Sequence, residues 1–218
     1  MPAEPLRVLV TGFGGFPGSR KNPTTSMIAG LARYRPRFVR LGIRLELCVL
    51  PVVYAKIAPS LAFLARKIRP HAILHFGVAP RRKKFCIEAR ALNRVSLLRP
   101  DAGGARSQRR AIVANARRSL KSTAPAEVIA AALRRNGFAA AVSIDAGDYV
   151  CNQTLFLSLD QHLAPLVGFI HVPPLAARDR RSSAKRLSVA QATRAAAIAI
   201  LALAPRLRAL ARPFPLVA

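Results

Sequence analysis

Apolar and polar positions along the chain fall into short strand-like runs separated by stretches of helical spacing. Leu6–Thr11 (LRVLVT) is a β-branched run that ends in the glycine-rich turn GFGGFPG, and it predicts a first buried strand. Asn22–Pro23 supplies a helix start, Asn as the cap and Pro at the first helical position, with the helix expected to reach about Tyr34, ahead of Pro36. Ile43–Leu50 alternates apolar and polar residues and predicts a strand closed by Pro51; Ile57–Ile68 has helical spacing and stops before Pro70. His71–Phe76 predicts a strand ending at Gly77, and Phe85–Leu92 (FCIEARAL) alternates again as one strand.

The second half repeats the alternation after a break. Arg99–Lys121 is rich in Gly, Ser and Arg and is expected to be an extended surface loop. Ala126–Arg135 predicts a helix stopped by Gly137, Ala140–Ile144 a strand, and Ala146–Gly147 a turn into a helix that starts near Cys151. Val167–Val172 (VGFIHV) predicts a last strand, closed by Pro173–Pro174, and Ser188–Ala204 a long terminal helix. Strands alternating with helices argue for one α/β domain over residues 1–218. The expected architecture is a three-layer α/β/α sandwich around a mostly parallel, mixed, twisted sheet.

Charge changes this picture less than its size suggests. Lys+Arg number 36 against Asp+Glu 9, a formal net charge of +27, which first points to nucleic acid or an anionic membrane surface. The basic residues are scattered in short clusters: RRKK at 81–84, Arg109–Arg110, Arg117–Arg118, Arg134–Arg135 and RDRR at 178–181. None belongs to a zinc finger, basic zipper or RNP-type motif, and aromatics are only 6%, so no base-stacking platform and no specific nucleic-acid partner is expected. The start, MPAEPLRVLVTGFGGFPG, lacks a basic region ahead of an apolar run, and the most apolar stretch, Ala195–Ala204, is too short to span a bilayer. With three cysteines, too few for a disulfide framework, these features lead us to expect a cytoplasmic protein without membrane insertion.

The nine acids and four histidines restrict any acid–base chemistry to a short inventory. Cys151 follows the turn DAGDY and precedes the helical pattern NQTLFLSL, which places its sulfur near a helix N-terminus, where free N–H groups favour thiolate and can hold an oxyanion. From position alone the favoured reading is a small buried hydrophobe, the usual fate of a free cysteine. His171 sits at the C-terminal end of the apolar strand GFIHVPP, where α/β sheets gather functional groups, or else is a satisfied core histidine. Glu88 is a carboxylate inside the apolar run FCIEARAL; it either orients the imidazole of His171 or pairs with Arg90 on the same strand face. Asp148, three residues before Cys151, is expected to cap the helix or face solvent. Cys86 would share a strand face with Glu88, close enough to the site for a reversible Cys86–Cys151 disulfide under oxidation. No metal or cofactor is expected.

Several blocks carry a family resemblance: VTGFGGFPG with NPT within 10–24, LPVVY at 50–54, GVAPRRKKFCIEARALN at 77–93, RPDAGG at 99–104, KSTAP at 121–125, DAGDYVCNQT at 145–154 and GFIHVPPL at 168–175. In this order they resemble the pyroglutamyl peptidase I (pyrrolidone-carboxylate peptidase) family of cytosolic cysteine peptidases, from about Leu6 to Ala204. The resemblance implies a Cys151–His171–Glu88 triad that removes N-terminal pyroglutamate from peptides through a thioester. It also implies a lactam pocket formed by Phe13, Phe16, Tyr149 and Val150, with Asn22 in an NP turn beside it, and a homodimer or homotetramer. Two other readings remain open here: a catalytically degenerate protein whose basic surface binds nucleic acid or anionic surfaces, and a hydrolase of another small cyclic amide.

Overall fold

The structure is a computed structural model that describes residues 4–16, 22–176 and 186–210. Pro17, Gly18 and the basic cluster at 178–181 lie outside them. In chain order the elements are β1 (Leu6–Phe13), α1 (Pro23–Gly30), a 3₁₀ turn (Leu31–Tyr34), α2 (Arg35–Arg40), β2 (Ile43–Leu50), α3 (Tyr54–Ile68), β3 (Ala72–Val78) and β4 (Phe85–Glu88). They continue with β5 (Arg90–Leu92), β6 (Ser119–Lys121), α4 (Ala126–Arg135), β7 (Ala140–Ser143), α5 (Val150–Asp160), β8 (Leu166–Val172), α6 (Val189–Leu201) and α7 (Ala204–Leu210).

Six strands form the central sheet in the order β2-β1-β3-β8-β4-β7. β2, β1, β3 and β8 are mutually parallel; β4 is antiparallel to β8, and β7 runs parallel to β4. Helices α1, α4 and α6 cover one face through residues such as Met27, Ile129, Leu133 and Ala196, packed on Val8, Val10, Leu74 and Ile170. On the other face α3 and α5 use Ile57, Leu61, Leu155 and Phe156 against Leu9, Ile73, Val167 and Phe169. Both faces of the central strands are therefore covered, which is why β1, β3 and β8 are nearly continuously apolar rather than alternating. The edge strand β2 alternates in burial only over Ile43–Leu45, then is half-buried through Glu46–Cys48 and exposes Val49 before the buried Leu50. Among the described residues no helix is long and apolar enough to cross a membrane.

Four element assignments differ from the sequence reading. Pro36 does not end a helix; a 3₁₀ turn intervenes and Pro36 sits in the first turn of α2, where its missing N–H costs no hydrogen bond. The Phe85–Leu92 run is not one strand. It breaks at Ala89, whose N–H donates to Ser143 O, and Arg90–Leu92 leaves the main sheet to pair antiparallel with Ser119–Lys121. The expected surface loop accordingly ends in a strand, and it is also anchored internally by the buried Asp101. The terminal helix stops at Leu201 and the chain resumes as α7. Its start is firmly made: Ser188 Oγ accepts from Gln191 N at 3.1 Å, and the Gln191 side chain accepts from Ser188 N at 2.8 Å.

The centre of the sheet tolerates little added volume. A Cβ at Gly168 in β8 would stand 2.8 Å from Ala124 Cβ and 3.2 Å from Leu74 Cδ1. Gly168→Ala is expected to destabilise the fold by about 1–3 kcal/mol through overpacking, read as a lower denaturation midpoint at unchanged m-value.

Candidate active site

The register of the sheet assembles a polar row on the face covered by α3 and α5. Thr11 pairs with His75, His75 with Phe169, Phe169 with Glu88, and Glu88 with Ser143. One step toward the C-terminal end of β8, Gly77, His171 and Cys86 form the next row. Because β4 runs against β8, Glu88 lies one row deeper than His171, and its carboxylate reaches the ring from beneath. Glu88 Oε1 is 2.7 Å from His171 Nδ1. Glu88 is completely buried and His171 is 6% exposed.

The alternative partner for Glu88 is not used. The chain breaks between Glu88 and Arg90, which therefore do not share a strand face, and Arg90 Nε donates instead to Ile144 O at 2.8 Å. The nearest guanidinium to Glu88 is Arg82, whose Nη2 is 3.9 Å from Oε1 and donates at 2.8 Å to Asp145 O.

Cys151 is the second residue of α5, and its sulfur points at β3. A Cβ at Gly77 would meet Cys151 Sγ at 2.8 Å and Phe169 Cζ at 2.8 Å. Gly77 neighbours His171 in the register, so the absent side chain at 77 is what gives the sulfur its place beside the imidazole. Burial depresses the His171 pKa, but hydrogen bonding and charge interaction with Cys151 and Glu88 outweigh it and raise the value to about 9. Tyr149 is the N-cap of α5 without a side-chain capping bond. Asp148 does not cap the helix; its side chain faces solvent, 41% exposed, with Oδ1 3.5 Å from Arg99 Nη1.

A cavity of about 470 Å³ opens over Cys151 and His171. Phe13, Phe16, Asn22, Tyr149 and Val150, all singled out in the sequence, line it. Phe13 is buried at the end of β1, 6.1 Å from Phe169 between ring centroids. Asn22 is committed to its own turn: Oδ1 accepts from Thr24 N at 3.1 Å and Thr24 Oγ1 at 2.8 Å, while Nδ2 donates to Gly14 O at 3.0 Å. It holds the glycine-rich loop at the cavity mouth. Cys86 pairs with His171 across the ladder but is not among the cavity-lining residues, and its Sγ contacts Lys84 O at 3.6 Å. All three cysteines are free thiols.

Two supporting residues were not visible as such in the sequence. Asp101, fully buried, accepts from Gly103 N at 2.8 Å and Ala105 N at 2.9 Å through Oδ1, and from Tyr54 N at 2.9 Å through Oδ2. Burial raises the pKa of Tyr54 and Tyr149, and both donate as neutral phenols to this loop, Tyr149 to Pro100 O at 2.9 Å and Tyr54 to Arg99 O at 3.1 Å. The signal for Asp101 was a lone acid followed by Gly103–Gly104 in an otherwise basic loop, the pattern of an Asx turn. Asn152, adjacent to Cys151, pins α5 to β5: its Oδ1 accepts from Leu92 N at 2.9 Å and its Nδ2 donates to Leu92 O at 2.7 Å. Nothing in hydrophobic periodicity marks it.

Comparison with known proteins finds relatives over most of the chain. A family model described as pyroglutamyl peptidase matches residues 6–206. The chain is 34% identical over 172 residues to the pyrrolidone-carboxylate peptidase of Pyrococcus furiosus, covering 77% of this chain and 81% of that one. It is 31% identical over 172 residues to the same enzyme of Streptococcus suis, covering 77% and 78%. The crystal structure of pyrrolidone carboxyl peptidase from Thermus thermophilus superposes with a TM-score of 0.79 at 30% identity, covering 88% of this chain and 98% of that one. The match of sequence over nearly the whole length, and of fold over the same span, assigns the chain to the pyroglutamyl peptidase family.

Proposed function

We propose that this protein hydrolyses the N-terminal pyroglutamyl residue from peptides, with Cys151 as nucleophile, His171 as general base and then acid, and Glu88 as the group that orients and charges the imidazole. The observation that carries the reading is the 2.7 Å contact of His171 Nδ1 with Glu88, with the Cys151 sulfur beside the same ring. Contact through Nδ1 leaves Nε2 for the thiol, the arrangement in which an imidazole relays protons between nucleophile and leaving group.

The steps balance within these groups. With the proton of the Cys151–His171 pair resident on the imidazole, the sulfur attacks the pyroglutamyl carbonyl carbon. The oxyanion faces the first-turn N–H groups of α5, which have no side-chain cap. Collapse breaks the C–N bond, and His171 gives its proton to the leaving amine. A water then transfers a proton to His171 as its oxygen attacks the thioester; the C–S bond breaks, and the proton of the pair is again on the imidazole.

A pyroglutamyl ring is flat and neutral, so aromatic and aliphatic walls from Phe13, Phe16, Tyr149 and Val150 suit it without a charged anchor. The direct test is hydrolysis of a fluorogenic pyroglutamyl amide. Well-folded protein without turnover would refute the assignment.

Gly77→Ala checks the same site from behind. The added methyl displaces Cys151 Sγ and the Phe169 ring, each 2.8 Å from the new carbon. We expect kcat/KM for the amide to fall roughly 10²-fold while the thermal midpoint moves only a few degrees. Unchanged turnover would place the working position of the sulfur elsewhere.

A further inference from the structure

We propose that the cavity carries a carboxylate-binding rim, so that this chain prefers pyroglutamyl peptides with an acidic side chain, or a free C-terminal carboxylate, on the residue directly after the pyroglutamyl group. The inference rests on the peptidase reading and extends it to the leaving portion of the substrate.

Three guanidinium-bearing residues, Arg81, Arg82 and Arg99, line the cavity, and the carboxylate among the lining residues is Asp148. Glu88 stands behind His171, buried and engaged by it. A neutral lactam has no use for this excess of positive charge.

The strand order separates the two kinds of wall. Phe13 ends β1, Gly14 N donates to Leu50 O at the end of β2, and Val52 follows, so the apolar wall lies toward the β2 side. Arg82 reaches the opposite edge: Nη1 donates to Ser143 Oγ of β7 at 3.2 Å and Nη2 to Asp145 O at 2.8 Å. Arg99 spans the mouth between them: its carbonyl accepts from Tyr54 Oη at 3.1 Å on the β2 side, and its side chain extends to Asp148 in the 145–148 turn. Cys151 lies between, after the turn. An acyl group seated against Phe13 and Val52, with its carbonyl at Cys151, leaves the Arg82 side of the cavity for the leaving amine.

These cations are under-compensated. Arg82 spends its hydrogen bonds on a neutral hydroxyl and a carbonyl, and its carboxylate neighbour, Glu88 at 3.9 Å, is already engaged by His171 at 2.7 Å. The 3.5 Å Arg99–Asp148 contact is longer than the usual ~2.7–2.9 Å of a charge-assisted bond. Arg81 is exposed and makes no ion pair among the described residues. A substrate carboxylate beside them gains a partner at little desolvation cost, and exposure makes the gain dependent on salt.

The experiment compares kcat/KM for pyroglutamyl-glutamate amide, pyroglutamyl-glutamine amide, pyroglutamyl-glutamine as the free acid, and pyroglutamyl-lysine amide. At low ionic strength the glutamate amide, the free acid, or both should exceed the glutamine amide by roughly fivefold to tenfold, with the lysine amide lowest. The advantage should shrink below about twofold in about 0.5 M salt. Which carboxylate gains identifies the source, side chain or chain end. In Arg81→Gln/Arg99→Gln the ratio should fall to near one, whereas Arg135→Gln, on α4 across the sheet, should leave it unchanged. Equal rates on charged and neutral substrates, a ratio that survives the double substitution, or one that Arg135→Gln lowers equally would each overturn the proposal. Failure to cleave any of the four would instead remove the peptidase reading, and this inference with it.

Discussion

Cys151→Ser is expected to lower turnover of a pyroglutamyl amide by at least about 10⁴-fold while leaving the fold intact. Serine keeps the shape and the helix start, but its hydroxyl holds its proton far more tightly than a thiol and gives the imidazole a much poorer nucleophile. The same experiment has a chemical counterpart in the native protein. Cys86 is buried, and burial raises the Cys48 thiol pKa, so limiting iodoacetamide should label Cys151 first, with activity lost in proportion to that single adduct. Mass spectrometry of the labelled peptides reads the site. Retention of more than about 1% of native activity in a homogeneous Cys151→Ser preparation would exclude Cys151 as nucleophile.

The second large effect concerns Glu88. With His171 held at about 9, the imidazole keeps its proton well above the ordinary range, and kcat/KM should show its alkaline limb near pH 9. Glu88→Gln preserves size but removes the charge that opposes burial. The limb should then move down by one or more pH units, and kcat/KM at its optimum should fall roughly 10²–10⁴-fold. Stability follows the same sign. The folded state holds a proton that an unfolded histidine releases near 6.5, so this contribution is complete below 6.5 and is lost as pH rises through about 9. The Gln variant should lose most of that slope in denaturation midpoints measured across the window. An unmoved limb would assign the raised value to Cys151 alone and leave Glu88 a packing role.

How much of this was legible beforehand depends on whether the information was local. The alternating residue types of Ile43–Leu50 mark a strand that lies at an edge, and the Asn22–Pro23 start is a property of a few adjacent residues; both were visible. The break at Ala89 was not, because alternation continues smoothly from Phe85 to Leu92 and only the pairing of Arg90–Leu92 with Ser119–Lys121 takes the chain out of the sheet. Glu88 stood out because a carboxylate inside an apolar run needs a partner. Its choice of His171 over Arg90 is set by the antiparallel direction of β4, which no local pattern encodes. His75 teaches the converse. It sits in an equally apolar strand, yet Thr11 Oγ1 at 2.7 Å and Ser158 Oγ at 3.0 Å satisfy both ring nitrogens, and burial holds its pKa near 3. An apolar strand histidine is thus a proton carrier or a neutral strut according to what the sheet places opposite it. Arg82 and Arg99 were hidden by abundance, two among many basic residues, and only the cavity distinguishes them.

The place of β8 in the strand order has a consequence for how the chain matures. Among the described residues β8 is the last strand of the sheet in chain order, yet it lies between β3 and β4, and the two members of the His171–Glu88 contact are 83 residues apart. In the strand order β8 is the sole link between β2-β1-β3 and β4-β7, and without it β3 and β4 would each have an unpaired apolar edge. Insertion of β8 closes both edges and delivers His171 to Glu88 in the same event, so acquisition of activity should coincide with the slow, non-local phase of refolding. A nascent chain stalled before Leu166 would carry Cys151 and Glu88 but neither the histidine that connects them nor a closed sheet, and would be prone to aggregate rather than to act.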